Sequence, residues 1–149
     1  MKKELLDVLF MSEKRKKVLI LLSDGAKETE FLLQTLKTTR QALLPQLRIL
    51  EDHYLVAQSG ETFELTTIGK LIVEKMLPLL DTVETFDIDV AYWGTHRFDF
   101  IPPHLFKRLD KLRKCEVMKP SHVHIYDLNK TVMKSSFDSE FMCGLCTFY

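Results

Sequence analysis

Cysteine is scarce in this chain: there are three, an odd number, among 149 residues. That count argues against a disulfide framework and fits a reducing cytosol. An excess of either charge is missing too, with Lys plus Arg at 21 and Asp plus Glu at 21. Dividing the chain after residue 84 does not expose one, because the first part holds 12 basic and 13 acidic groups and the second 9 and 8. A strongly basic half is therefore excluded, and affinity for a polyanion must come from a local arrangement of charge. No apolar run approaches the length of a membrane span. Glu4 and Asp7 interrupt the N-terminal apolar stretch, which fits no secretory signal. These absences predict a cytoplasmic protein without a membrane partner. Also missing are a Gly-rich phosphate loop, a nucleophile elbow, a zinc-protease helix and a pair of carboxylates that stands out as catalytic. The expectation is a non-enzyme without a cofactor.

Apolar residues make up 46% of the chain, enough to bury a core in one ordinary domain or two small ones. No internal repeat or low-complexity tract divides it. Leu5, Leu6, Leu9 and Phe10 recur at helical spacing and predict a short helix over 3–11. Ser12 is a good N-cap for a second helix from Glu13 to Leu22, with Val18, Leu19, Leu21 and Leu22 inward. Its first two turns carry Lys14, Arg15, Lys16 and Lys17. Gly25 is placed to end it in the left-handed conformation. A brief third helix is expected around Glu30–Leu36, burying Phe31, Leu33 and Leu36 or their neighbours.

Lys37-Thr38 then reads as a tight turn and Thr39 as the cap of a fourth helix, Arg40 to about Asp52. Leu43, Leu47 and Leu50 fall on one stripe of it. Arg40, Gln41, Leu44, Pro45 and Arg48 fall on or near the opposite face. Leu55–Ala57 and Thr62–Leu65 are strand candidates joined by Gln58-Ser59-Gly60-Glu61. Thr66 should cap a long helix whose apolar side includes Ile68, Leu71, Ile72, Met76, Leu79, Leu80 and Val83. Pro78 should kink it. A stripe this long needs a partner, most simply the same helix of a second chain.

Composition shifts near Tyr92-Trp93, which divides the chain into an expected module of residues 1–92 and a remainder of 93–149. Ile101-Pro102-Pro103 leads to an expected helix from His104 to Lys114, with Leu105, Leu109 and Leu112 inward. Cys115–Met118 is a strand candidate. The fold expected is mainly α with a small β-hairpin: a winged helix-turn-helix, a long dimerisation helix, and a partial α/β C-terminal segment.

A helix followed by a hairpin is how a winged helix-turn-helix meets DNA. A helix fits the major groove, and its N-terminal side chains reach base edges. Thr39 and the first backbone amides suit a phosphate, helped by the helix dipole. Arg40 and Gln41 carry the donors and acceptors for guanine and adenine edges, and Leu44 suits a thymine methyl. Arg48 is placed for the backbone, and Lys14 and Lys17 for further phosphate contacts. Pro45 is the odd residue, since proline costs ~3 kcal/mol in an ordinary helix interior. Glu61, at the tip of a wing without a base, should repel phosphate.

The run from Leu6 to about Glu116 resembles the ArsR-like winged helix-turn-helix transcriptional regulators of methanogenic archaea, which carry a methanogenesis-regulator type C-terminal domain. The resemblance rests on Leu22-Ser23-Asp24-Gly25, on Thr39 to Leu47 with its Pro45, on Leu65 to Met76, and on Ile101-Pro102-Pro103-His104-Leu105. It implies a homodimeric regulator of double-stranded DNA, with Arg40–Asp52 as recognition helix and Leu55–Leu65 as wing. It also implies that residues 93–149 begin an effector or dimerisation domain, here incomplete, with a small-molecule effector as a possible ligand.

Two alternatives come from other classes. Neutral charge and the baseless wing also suit a winged-helix module that docks proteins without specific DNA binding. Cys143 and Cys146 form a CxxC that, with His122 and His124, suggests a thiol- or metal-responsive regulator. The spacing matches no zinc finger, Cys115 is the only other thiol, and two small apolar cysteines in a strand explain the pair as well. No metal site is therefore expected. His53 reads as a solvated cap residue, and His96 and His104 show no partner in the pattern. Tyr92-Trp93 reads as aromatics closing a dimer core. Asp81, Glu84, Asp87 and Asp89 read as a solvated helix face.

Overall fold

The computed structural model describes residues 4–112 and 130–140. Among them the helices are α1 (Leu5–Phe10), α2 (Glu13–Leu22), α3 (Thr29–Leu36), α4 (Arg40–Asp52), α5 (Thr67–Asp87), α6 (Val90–Thr95), α7 (Pro103–Phe106) and α8 (Lys130–Phe137). The strands are β1 (Lys27–Glu28), β2 (Val56–Ser59) and β3 (Thr62–Leu65). They make one antiparallel sheet in the order β1-β3-β2. Mainly helical, with a small three-stranded sheet, the molecule is winged-helix-like.

Several boundaries follow from caps that the sequence displays. Ser12, Thr39 and Thr66 each accept a hydrogen bond from the amide three residues on, so α2, α4 and α5 start as expected. Gly25 has φ of 120° and its amide donates to the Leu22 carbonyl, closing α2. The αL residue at the end of α3 is Lys37, with φ of 47°.

Other elements depart from the sequence pattern. β1 was not foreseen: two residues carry no periodicity, yet Lys27 pairs with Phe63 and Glu28 with Thr62, which turns the expected hairpin into a sheet. In α1 the buried residues are Val8 and Leu9, while Leu5, Leu6 and Phe10 are exposed. In α3 the buried apolar residue is Leu32, and Phe31 is exposed. The expected helix from His104 is broken instead into α7 and a 3-10 turn, Leu109–Leu112. Leu109 is buried there, whereas Leu105 and Leu112 are exposed. The strand expected at 115–118, together with Cys115, His122, His124, Cys143 and Cys146, lies outside the described residues.

One core joins α1 to α5 and the sheet. Val18, Leu19 and Leu22 meet Leu32, then Leu43, Leu47 and Leu50, then Leu55, Phe63, Val73 and Met76. β3 alternates accordingly, with Phe63 and Leu65 buried and Glu64 exposed. α5 docks through its first turn. A Cβ on Gly69 would stand 2.0 Å from the Leu55 carbonyl oxygen, so only glycine lets the two backbones approach this closely. The Thr66 amide and hydroxyl both donate to carbonyls of the same connection, the amide to Leu55 and the hydroxyl to Tyr54.

Beyond the middle of α5 the packing changes. Thr85 is fully buried, its hydroxyl donating to the Asp81 carbonyl at 2.9 Å, and its carbonyl accepts from Trp93 Nε1 at 3.1 Å. Trp93 also touches the rings of Phe86, Tyr92 and Phe98. These aromatics therefore close a cluster within one chain, and Asp89, read as part of a solvated face, caps α6 by accepting from the Tyr92 amide.

Candidate nucleic-acid interface

Three buried leucines orient α4. Leu43, Leu47 and Leu50 go into the core, which turns Gln41, Pro45, Arg48 and Asp52 outward on one line. Of the residues read as DNA-facing, Gln41, Pro45 and Arg48 share this exposed stripe. Leu44 does not: one position past Leu43, it is half-buried and packs against the core beside Phe63. The expectation that it lies opposite the buried face is corrected, because the contact with the sheet widens the apolar stripe.

The start of α4 is open. Thr39 Oγ1 accepts from the Ala42 amide at 3.3 Å and is exposed, and the first amides of a helix have no partner inside it. α4 continues through Pro45, as α5 continues through Pro78. Proline has no N–H, so the Gln41 carbonyl loses its helical donor on the outward stripe.

Arg40, the first residue of α4, leans toward the hairpin. Its Nη2 donates to Glu61 Oε2 at 3.3 Å. The Glu61 backbone is held separately, since its carbonyl accepts from both the amide and the hydroxyl of Thr29 at 2.8 Å. Thr29 is itself buried. Between α4 and the hairpin lies a polar cavity of about 200 Å³ whose lining includes Arg40, Arg48, Glu51 and Glu61.

The basic run on α2 is not four equivalent cations. Arg15 is 4% exposed and turned inward, donating to the Val8 carbonyl at 2.7 Å, the Asp7 carbonyl at 3.1 Å and Gln46 Oε1 at 2.8 Å. It ties the end of α1 to the middle of α4. Ser12 adds a bond to the same Gln46 oxygen at 3.3 Å. Lys16 and Lys17 pair with Glu13 at 2.7 and 3.8 Å. The hydrogen bond from Lys16 holds the Glu13 carboxyl below its ordinary range. Lys14 is exposed on the turn next to α4, while Lys17 lies on the side of α2 away from its buried stripe. Sequence reading missed the inward role of Arg15 and Gln46. The available signal was position: Arg15 stands three and four residues before Val18 and Leu19, on the buried face.

Residues 3–84 match the model of the family described as methanogenesis regulatory protein FilR1, N-terminal domain. The chain belongs to that family. The match takes in every residue discussed here as DNA-facing and most of α5. The chain is also 24% identical over 135 residues to the methanogenesis regulatory protein FilR1 of Methanothrix harundinacea (strain 6Ac), across 87% of this chain and 30% of that protein. It thus spans about a third of the length of this relative. No solved structure matches. Among the described residues no helix is long and apolar enough to cross a membrane.

Proposed function

We propose that this protein is a sequence-specific, DNA-binding transcription regulator of the ArsR-like kind, acting in the cytoplasm as a homodimer. The observation that carries the reading is the outward line of Gln41, Pro45 and Arg48 on a helix whose N-terminus is open, flanked by a hairpin. Membership in the family of a methanogenesis regulatory protein supports it. Arg40 and Gln41 read bases, Thr39 and Arg48 hold phosphates, and Lys14 and Lys17 add long-range attraction. Pro45 shapes the helix surface that enters the major groove. Any small-molecule effector acts through the residues after 92.

A shallow apolar groove between α1 and α5 supports the dimer. Phe10, Leu71 and Leu79 are exposed there beside Leu9, Ile72 and Met76, around a volume of about 270 Å³. A second copy covering this groove sets two α4 helices toward successive grooves of a roughly palindromic site.

The test is DNA binding by single variants. Arg40→Ala is expected to cost ~1–3 kcal/mol and to relax specificity at one base position. An equal loss on every sequence would remove its base-reading role. Arg48→Ala is expected to weaken binding uniformly and to flatten the salt dependence by about one unit of slope. An unchanged slope counts against a phosphate contact.

A further inference from the structure

We propose that Glu61 is a specificity-determining residue: its carboxylate holds the Arg40 guanidinium so that generic phosphate cannot, and only a base edge with the right acceptors displaces or shares it. The inference rests on the DNA-binding reading and deepens it.

Glu61 is divided between two jobs that the geometry keeps apart. Its backbone carbonyl takes both bonds from buried Thr29, and this anchors the turn between β2 and β3. Its side chain contributes nothing to that anchor. It is 72% exposed and reaches Arg40 Nη2 at 3.3 Å. A surface ion pair of this kind stabilises a fold very little. Its effect falls instead on what Arg40 does next. Arg40 is the first residue of α4, where base-contacting side chains sit, and it carries five N–H donors. The bond from Nη2 to Glu61 leaves donors for a bidentate approach to the O6 and N7 of guanine.

Phosphate brings Arg40 a full negative charge along with its acceptors, and Glu61 opposes that charge twice. The carboxylate already neutralises the guanidinium, and it repels the incoming anion. A guanine edge carries no net charge and presents two acceptors in the plane of the guanidinium, so it suffers little of that repulsion. The pair therefore subtracts more from sequence-blind binding than from specific binding. The chain as a whole has equal numbers of acids and bases, so one local carboxylate weighs heavily in the balance.

The experiment uses the full chain and two probes: a duplex selected by the wild-type protein from a library with a randomised centre, and random-sequence duplex. Glu61→Gln keeps the shape and removes the charge. It is expected to raise affinity for random duplex about threefold, to steepen its salt slope by up to ~0.9, and to lower the ratio of selected to random affinity by a similar factor. Glu64→Gln, the same charge change on the outward face of β3, should raise both affinities equally. In an Arg40→Ala background Glu61→Gln should no longer change the ratio. Equal gains on both probes, an unchanged ratio, or a change that persists without Arg40 each overturn the proposal and leave the DNA-binding reading intact. A wild-type protein that binds no duplex, or all duplexes alike, removes both. Unaltered thermal melting of Glu61→Gln is expected, since the bonds to Thr29 use only its backbone.

Discussion

The first five helices with their sheet and the region after the middle of α5 solve the same problem with unequal means. In the first, fifteen apolar residues reach near-complete burial in one connected cluster. Prolines are absorbed within helices, and three polar caps set the helix starts. In the second, the described residues bury only Leu109 and Thr85 to a similar degree, and the rest is a partly exposed ring cluster around Trp93, tied to α5 through the carbonyl of Thr85, whose hydroxyl also reaches the Leu109 carbonyl. A core of that kind stabilises roughly in proportion to the apolar area it removes from water. The difference teaches that α5 is both a wall of the first region and, among the described residues, the main support of the second.

Five substitutions sharpen or break this contrast. The largest effect is expected from Phe63→Ala, a fully buried ring at the centre of the sheet, which should destabilise by ~3–5 kcal/mol. Trp93→Ala should move the same far-UV transition by less than ~1 kcal/mol. Equal losses from the two would mean that the regions share one core. Gly69→Ala follows, because its Cβ meets backbone rather than a movable side chain. A loss of ~3 kcal/mol or more in urea unfolding is expected, and a neutral result would mean that α5 does not seat on Leu55.

Smaller effects belong to the surface of the first unit. Thr39→Ala removes the cap of α4 and should cost ~1 kcal/mol, read by denaturant midpoint. Glu13 gives the smallest effect. Its folded carboxyl titrates below the ordinary value because Lys16 hydrogen-bonds it. The sign follows: its contribution is present above the unfolded carboxylate range and lost as pH falls through the lowered folded value. Glu13→Gln should therefore lower stability slightly at neutral pH, leave it unchanged below the folded value, and so flatten the acid limb. Because Trp93 is the only tryptophan, its fluorescence reports the second region alone and is expected to change at lower urea than the far-UV signal.

The same contrast explains what was legible in sequence. α2 and α4 were read to the residue, because Ser12 and Thr39 mark their starts and the leucines of α4 keep a strict period. β1 was illegible, since two residues have no pattern and exist as a strand only through Phe63 and Thr62. The helix expected from His104 failed for a related reason. Leu105, Leu109 and Leu112 keep helical spacing, but of the three only Leu109 finds a surface to bury against, and the backbone tightens from α7 into three-residue turns, as in the bonds from the Arg108 amide to Leu105 and from the Lys111 amide to Arg108. On α4, the outward position of Gln41, Pro45 and Arg48 was legible from the period of the leucines. The Arg40–Glu61 pair joins residues 21 apart and could be seen only in the folded chain. Arg15 was hidden by its neighbours: three lysines made it look like one more surface cation.

The most direct test of the central claim is binding of the purified protein to its own upstream DNA, titrated with salt and with random competitor duplex. Tight, competitor-resistant binding with a steep salt slope, reduced by Arg40→Ala and Arg48→Ala, is the predicted result. Binding that random duplex abolishes at equal concentration, and that neither substitution changes, would contradict the assignment of α4 as the DNA-reading helix.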